Sequence, residues 1–227
     1  MERVNLSNIL AIETSSPVCS VALKTNSSKC YVFSSQNKND HGSVIFEFIE
    51  RALDEGGILK NDLDYIALST GPGSFTGLRI GCSVAQGLAF GLNIPILPIS
   101  SLKILAQQVI DIENSLNISV IIDAHMQELY IGEYKNEDGH AEMINKDFAI
   151  EKSDFEIYSK ENNESLFIGP GCNYLAEELK KNAIVDISPN ANTLFKIAEK
   201  MILENIFNKP EEIILNYLSG EDHWSKS

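Results

Sequence analysis

The chain has 227 residues, 44% apolar and 22% charged, an ordinary globular composition, and a chain of this length buries roughly 70–75% of its unfolded surface without staples. Its net charge of −14 repels polyphosphate and argues against tight, direct RNA binding by this chain alone. No stretch approaches the ~20 apolar residues of a membrane helix, and the opening Met1, Glu2, Arg3, Val4, Asn5 has neither the basic patch nor the apolar run of a secretion signal, so a soluble cytoplasmic protein is expected.

In chain order, Ile9 to Ile12 is a short apolar run closed by the acid Glu13. A polar turn follows, Thr14 to Pro17, and Val18 to Leu23 returns, so the segment reads as a hairpin. Tyr31 to Phe33 is a third strand. Val44, Ile45, Phe48, Ile49, Ala52 and Leu53 recur at helical spacing, with Asp40 or Ser43 as the start signal and Gly56–Gly57 as the stop. Leu63 to Leu68 reads as a buried strand running into Ser69–Gly77, and a second helix covers Phe75 to Leu92. Ile94 to Ile99 is a strand whose Pro95 and Pro98 argue for an edge position or a ragged pairing.

Near residue 120 the pattern restarts. Val120, Ile121 and Ile122 are closed by Asp123, Ala124 to Gln127 makes the turn, and Leu129 to Tyr134 returns. Leu166 to Gly171 then echoes Ala67 to Gly73, both ending in Gly-Pro-Gly, and helices at Tyr174–Lys181 and Thr193–Leu203 complete the second half. The alternation predicts an α/β fold of mixed sheets flanked by helices. Two copies with an acid-tipped hairpin resemble the duplicated lobes of the actin, hexokinase and Hsp70 (ASKHA) group. The expected lobes are 1–103 and 104–208, with 209–227 as a tail packing back on the first.

Gly71, Gly73 and Ser74 precede the second helix, where glycines and a helix start can cradle an anion or nucleotide. The same turn also serves as a plain tight connection, and no Lys follows as in a P-loop. Glu13 and Asp123 can hold Mg²⁺ through water, or simply close their strands. Gly77, Gly81 and Ala85 make one small-residue stripe at i, i+4, i+8, and Gly87 and Gly91 add another pair. Each interior glycine costs a helix about 1 kcal/mol, so a neighbouring backbone must come close, either within the chain or from a second subunit. The cysteines Cys19, Cys30, Cys82 and Cys172 are too scattered for a C-x-x-C site, and there is no G-x-S-x-G or H-E-x-x-H constellation.

The stretch Ser69–Gly81, STGPGSFTGLRIG, resembles the most diagnostic segment of the TsaB (YeaZ) family. Ile9–Leu23, Ile94–Leu102 and Ile121–Tyr130 follow in the family's order, and Tyr217 and Trp224 resemble its closing segment. The resemblance implies a non-catalytic subunit that works with a TsaD-like catalytic subunit and a TsaE-like ATPase to place threonylcarbamoyl on the N6 of the adenosine beside the tRNA anticodon. tRNA would be met only through the complex. TsaD-like chains carry a metal-binding His-x-x-x-His where this sequence has Ser101 and Leu105, so no cofactor or metal is implied. Docking, on the partner or on a second copy, is expected through Val44, Phe48, Ala52, Gly77, Leu78, Gly81, Ala85 and Leu88. The sequence departs from the family in Glu13, where Asp is usual, and in Ser219, where an Arg is usual. The rival reading is a stand-alone ASKHA nucleotide hydrolase or phosphotransferase built on Glu13, Asp123 and the two Gly-Pro-Gly turns.

Overall fold

A computed structural model describes residues 7–37, 40–113, 117–125 and 127–218, so Ser219 and Trp224 lie outside the described residues. The chain divides into two compact units, one of Met1–Ser101 with Pro189–Leu215, the other of Leu102–Ser188 with the residues from Asn216. No helix among the described residues is long and apolar enough to cross a membrane.

The first unit is built on a five-stranded sheet of β1 (Ile9–Glu13), β2 (Ser20–Lys24), β3 (Cys30–Ser34), β4 (Tyr65–Gly71) and β5 (Ile96–Ser100), in the order β3-β2-β1-β4-β5. The first three strands pair antiparallel, whereas β4 and β5 add parallel to β1. The proline-bearing β5 is an edge strand, because its missing N–H groups cannot serve a central ladder. Strand alternation sends Leu10 and Ile12 toward the helices α1 (His41–Gly56) and α2 (Phe75–Leu92), where they join Ile45, Phe48, Ala52, Cys82 and Ala85 in one core. Asp40 holds the cap position of α1 without a side-chain bond to the helix, Ser43 lies inside the first turn, and Gly57 ends the helix at φ 65°.

The second unit repeats this plan. Its strands are β6 (Asn117–His125), β7 (Glu128–Glu137), β8 (His140–Glu151), β9 (Leu166–Ile168) and β10 (Ala183–Ile184), in the order β10-β9-β6-β7-β8. Read from the other end, this is the order of the first sheet, with the same antiparallel trio and the same parallel pair. Three elements lie outside those predicted: α3 (Ser101–Glu113), although Leu102, Leu105, Ala106, Val109 and Ile110 recur there at helical spacing, the long β8 and α4 (Phe155–Glu161). The helix read at Tyr174–Lys181 shrinks to α5 (Glu177–Lys180), preceded by a 3-10 turn at Pro170–Tyr174.

The 104–208 boundary needs correction. The last helix, α6 (Leu194–Leu203), belongs to the first unit: it lies against β1, β4 and β5, and buries Leu194, Phe195, Ile197 and Ala198. Fully burying each large side chain contributes about 1.5–3 kcal/mol, enough to decide which sheet the helix joins. Lys24 of β2 and Glu199 of α6 add an ion pair. The segment after α6 also stays on this unit as far as Leu215, whereas Leu218 packs on the core of the second unit, so the tail expected over 209–227 returns to the first lobe only in part. Asn208 bridges Ile96, Pro210 accepts from the Gln86 amide at 2.7 Å, and Ile213 and Leu215 pack on the core.

Candidate functional site

The acid, the Gly-Pro-Gly turn and the small-residue stripe of the first unit come together at the end of β1, packed against one another. The turn after β1 is wedged against the start of α2. The Ser74 N–H donates to the Ser15 carbonyl at 2.7 Å, and the Ser74 hydroxyl caps α2 by accepting from the Gly77 N–H at 3.2 Å. A Cβ on Gly73 would stand 2.2 Å from the Ser15 carbonyl oxygen, one on Gly77 2.2 Å from the Thr14 carbonyl oxygen, and one on Gly81 2.2 Å from the Thr14 hydroxyl. The glycines therefore admit the chain's own backbone. The open question about their neighbour is answered for Gly77 and Gly81: it is the β1–β2 turn of the same unit.

Glu13 sits beneath this turn, wholly buried. One carboxyl oxygen accepts from the Ser15 N–H at 2.8 Å and from the Ser15 hydroxyl; the other, Oε2, has no partner. Burial pushes the carboxyl up to about 7, against the Ser15 side-chain and backbone bonds, which hold it down. Ser69 stands beside it because β1 and β4 run parallel with Ile12 opposite Leu68, and its hydroxyl also lacks a partner. Cys19 is raised to about 12, by burial first and then by Glu13 and Asp40. The imidazole of His41, at the start of α1, meets the Ser16 carbonyl at 2.9 Å. The ligands of a divalent cation must be ionised, and burial works against the ionised form of this acid.

Asp123 belongs to the second unit and is held there by its neighbours. Lys152 stands 2.9 Å from one carboxylate oxygen, the Tyr174 hydroxyl donates to the other at 2.9 Å, and Lys152 also reaches the Tyr174 oxygen at 2.8 Å. The Gly-Pro-Gly turn of this unit packs on β6, for a Cβ on Gly169 would lie 2.4 Å from the Ile121 carbonyl oxygen. Neither Ser101 nor Leu105 is free to ligate: the Ser101 hydroxyl donates to the Pro72 carbonyl, and Leu105 is buried among Leu102, Ala106 and Val109. Among the described residues, no group of three or more His, Cys, Asp or Glu side chains is placed to hold a metal ion.

The residues read as a docking surface fall mostly on the wrong side of their helices. Phe48, Ala52, Gly77, Leu78, Gly81 and Ala85 are buried in the core of the first unit, and Val44 and Leu88 are half-buried. Helical spacing identifies a packed stripe but not what it packs on. The outward side of the same helices carries other residues. Phe46 is 58% exposed, Phe75 54% and Phe90 76%. Gly42, Gly87 and Gly91 are exposed as well, and nothing lies within 4 Å of a Cβ built on Gly87 or Gly91. Gly42 faces Ile80 across the seam of α1 and α2, 3.8 Å from its Cδ1. The available signal was a phenylalanine off the apolar stripe of each helix, next to glycines that no core contact requires.

Two units of the same strand order, each with an acid near the tip of its first hairpin and a Gly-Pro-Gly turn after its fourth strand, make this an ASKHA-like duplicated α/β protein. The model of the tRNA N6-adenosine threonylcarbamoyltransferase (TsaD) family matches residues 32–201. The tRNA threonylcarbamoyladenosine biosynthesis protein TsaB of Haemophilus influenzae is 32% identical over 232 residues, covering 96% of each chain. TsaB of Escherichia coli is 29% identical, covering 96% of this chain and 97% of its own. The structure of YeaZ from Pseudomonas aeruginosa superposes with a TM-score of 0.83 at 28% identity, covering 93% of this chain and all of the other. The chain belongs to the TsaB (YeaZ) family.

Proposed function

We propose that this chain is a non-catalytic accessory subunit in the biosynthesis of threonylcarbamoyladenosine on tRNA, docking on a TsaD-like catalytic subunit through the outer face of α1 and α2. The observation that carries the reading is that face: Phe46, Phe75 and Phe90 stand in solvent beside exposed Gly42, Gly87 and Gly91, which leave room for another helix to approach. The catalytic subunit supplies the metal and the chemistry, since Ser101 and Leu105 cannot. A TsaE-like ATPase completes the cytoplasmic assembly, and tRNA is met through the complex. Alone, the chain uses the same face to pair with a second copy.

Gly87→Arg tests the reading, because this position is open and the variant should fold. Size-exclusion chromatography with light scattering should show a one-to-one complex of the wild type with the same organism's TsaD, and loss of that complex and of tRNA modification in the variant. Undiminished docking by a folded Gly87→Arg protein would refute the surface. The rival nucleotide hydrolase predicts Mg-ATP binding. We expect calorimetry to find none at millimolar nucleotide, because the Ser15 carbonyl occupies the amide that a phosphate would need.

A further inference from the structure

We infer that the free edge of β3 is a further interaction surface, and that its occupant is another copy of this chain, added antiparallel about a two-fold axis at Val32. A sheet edge presents unpaired N–H and C=O groups, and proteins ordinarily blunt it. Three of the four edges in the two sheets are blunted. β5 carries Pro98 and is bridged by Asn208, β10 has only two residues, and β8 carries Glu142 and Lys146 and shifts register twice against β7. β3 has none of these protections. Its residues are Cys30, Tyr31, Val32, Phe33 and Ser34, without charge or proline, and they pair with β2 in one unbroken register.

The hydrogen bonds at the two ends of the β2–β3 ladder fix which groups point outward. At one end the Thr25 N–H donates to the Lys29 carbonyl, and at the other the Ser35 N–H donates to the Cys19 carbonyl, both at 2.9 Å. Bonded and non-bonded pairs alternate along an antiparallel ladder. Tyr31 and Phe33 therefore bond to Leu23 and Val21, and Cys30, Val32 and Ser34 turn their N–H and C=O groups away from β2. Among the described residues, no backbone group bonds these outward groups. The side chains of the same three residues are exposed, Val32 to 42%. A second β3 fits this edge because the strand is complementary to itself. About the two-fold axis Val32 meets its own copy and Cys30 meets Ser34, so the three outward residues of each strand all fall in bonded pairs, and each such pair exchanges two hydrogen bonds. Tyr31 meets Phe33 in the non-bonded pairs, where side chains come closer and aromatic rings pair favourably. Lys29, just before the strand, stands opposite Ser35 and not opposite its own copy, so this register sets no like charges face to face. The edge uses none of the residues of the outer face of α1 and α2, so filling one leaves the other available.

The experiment uses the full chain carrying Gly87→Arg, which blocks the α1–α2 face in the reading above and leaves β3 untouched. Sedimentation equilibrium up to millimolar protein should show a dimer. Val32→Lys and Val32→Glu, each added to that chain, set like charges against each other across the two-fold axis and should weaken the dimer about tenfold or more. An equimolar mixture of the two should restore it, a recovery that damage to the fold cannot produce. Ser34→Cys on the same chain is the second test, because it sets a thiol opposite Cys30 at about 5.5 Å between Cα atoms, within the disulfide span of about 4.4–6.8 Å. Diamide, which takes up the two electrons and two protons, should then link Cys30 of one chain to position 34 of the other, read by peptide mass spectrometry. A Gly87→Arg chain that is monomeric throughout, a Val32→Lys chain that pairs as before, a mixture without recovery, or no link between positions 30 and 34 overturns the inference. Docking on TsaD by Gly87→Arg is measured separately, and its survival would refute the α1–α2 surface while the charge exchange at Val32 still decides the β3 edge.

Discussion

Glu13 makes the stability of the first unit depend on pH in an unusual direction. Its carboxyl is raised from 4.5 to about 7 by burial, so between those values the folded chain holds a proton that the unfolded chain has released. The fold is therefore most favoured below pH 4.5 by this group, loses stability as pH rises through that window, and levels off above 7. At about 1.36 kcal/mol per unit, the ionised acid costs the fold on the order of 3 kcal/mol at pH 8. Glu13→Gln removes the charge and keeps the shape. Its carbonyl accepts from the Ser15 N–H and hydroxyl as Oε1 does, and its amide places a donor where the unpartnered Oε2 and the unpartnered Ser69 hydroxyl lie. Urea unfolding followed by far-ultraviolet circular dichroism, at intervals from pH 4.5 to 8.5, should show the variant gaining on wild type by about 3 kcal/mol across the window, with parallel curves above it. Taking the difference between the two proteins cancels the other titrating groups. A flat difference, or a wild type that gains on the variant as pH rises, would refute the buried neutral acid.

The glycines of α2 divide into two kinds. Gly77→Ala and Gly81→Ala each drive a Cβ to 2.2 Å from Thr14, and overpacking of about 1–3 kcal/mol should outweigh the helix gain of about 1 kcal/mol, most clearly at Gly77, where the obstacle is backbone. Gly87→Ala meets nothing within 4 Å and should raise stability by about 1 kcal/mol; thermal melts of the three variants check the order. Among the cysteines, Cys30 is exposed whereas Cys19, Cys82 and Cys172 are buried, and burial raises Cys19 and Cys172 to about 12. Brief maleimide labelling of the native chain, read by peptide mass spectrometry, should modify Cys30 first. Lys152→Met should free the Tyr174 hydroxyl from one of its two partners and change the near-ultraviolet tyrosine signal, while leaving docking on TsaD unchanged.

Much of the fold was legible because duplication writes the same signals twice. The apolar runs ending at Glu13 and Asp123, and the two Gly-Pro-Gly turns, fall at matching places in the two sheets. Helix α2 was bounded correctly, since Ser74 caps one end and Asn93 turns left-handed at the other. Strand β8 carries no such marks, because Glu142, Asn145, Lys146 and Asp147 interrupt any apolar alternation, and its pairing with β7 shifts register twice. Helix α6 was read as a helix but given to the wrong lobe, for periodicity reports a buried face and never the sheet that buries it. The same limit turned core residues into docking candidates. Glycine spacing showed that something must approach α2 closely, but only the placement of Thr14 showed that the approach at Gly77 and Gly81 comes from within.

The Ser15 carbonyl that meets the Ser74 amide has a consequence beyond the cradle it fills. A helix whose first amides wait for a phosphate is positioned by whatever the solution supplies, and anything resting on that helix inherits its occupancy. Here the anchor is part of the chain, so α2 is moored at its first turn whether or not a nucleotide is near. The outer face of that helix is then a permanent fixture rather than a signal. In the accessory-subunit reading proposed above, any gating by ATP would then enter through another subunit.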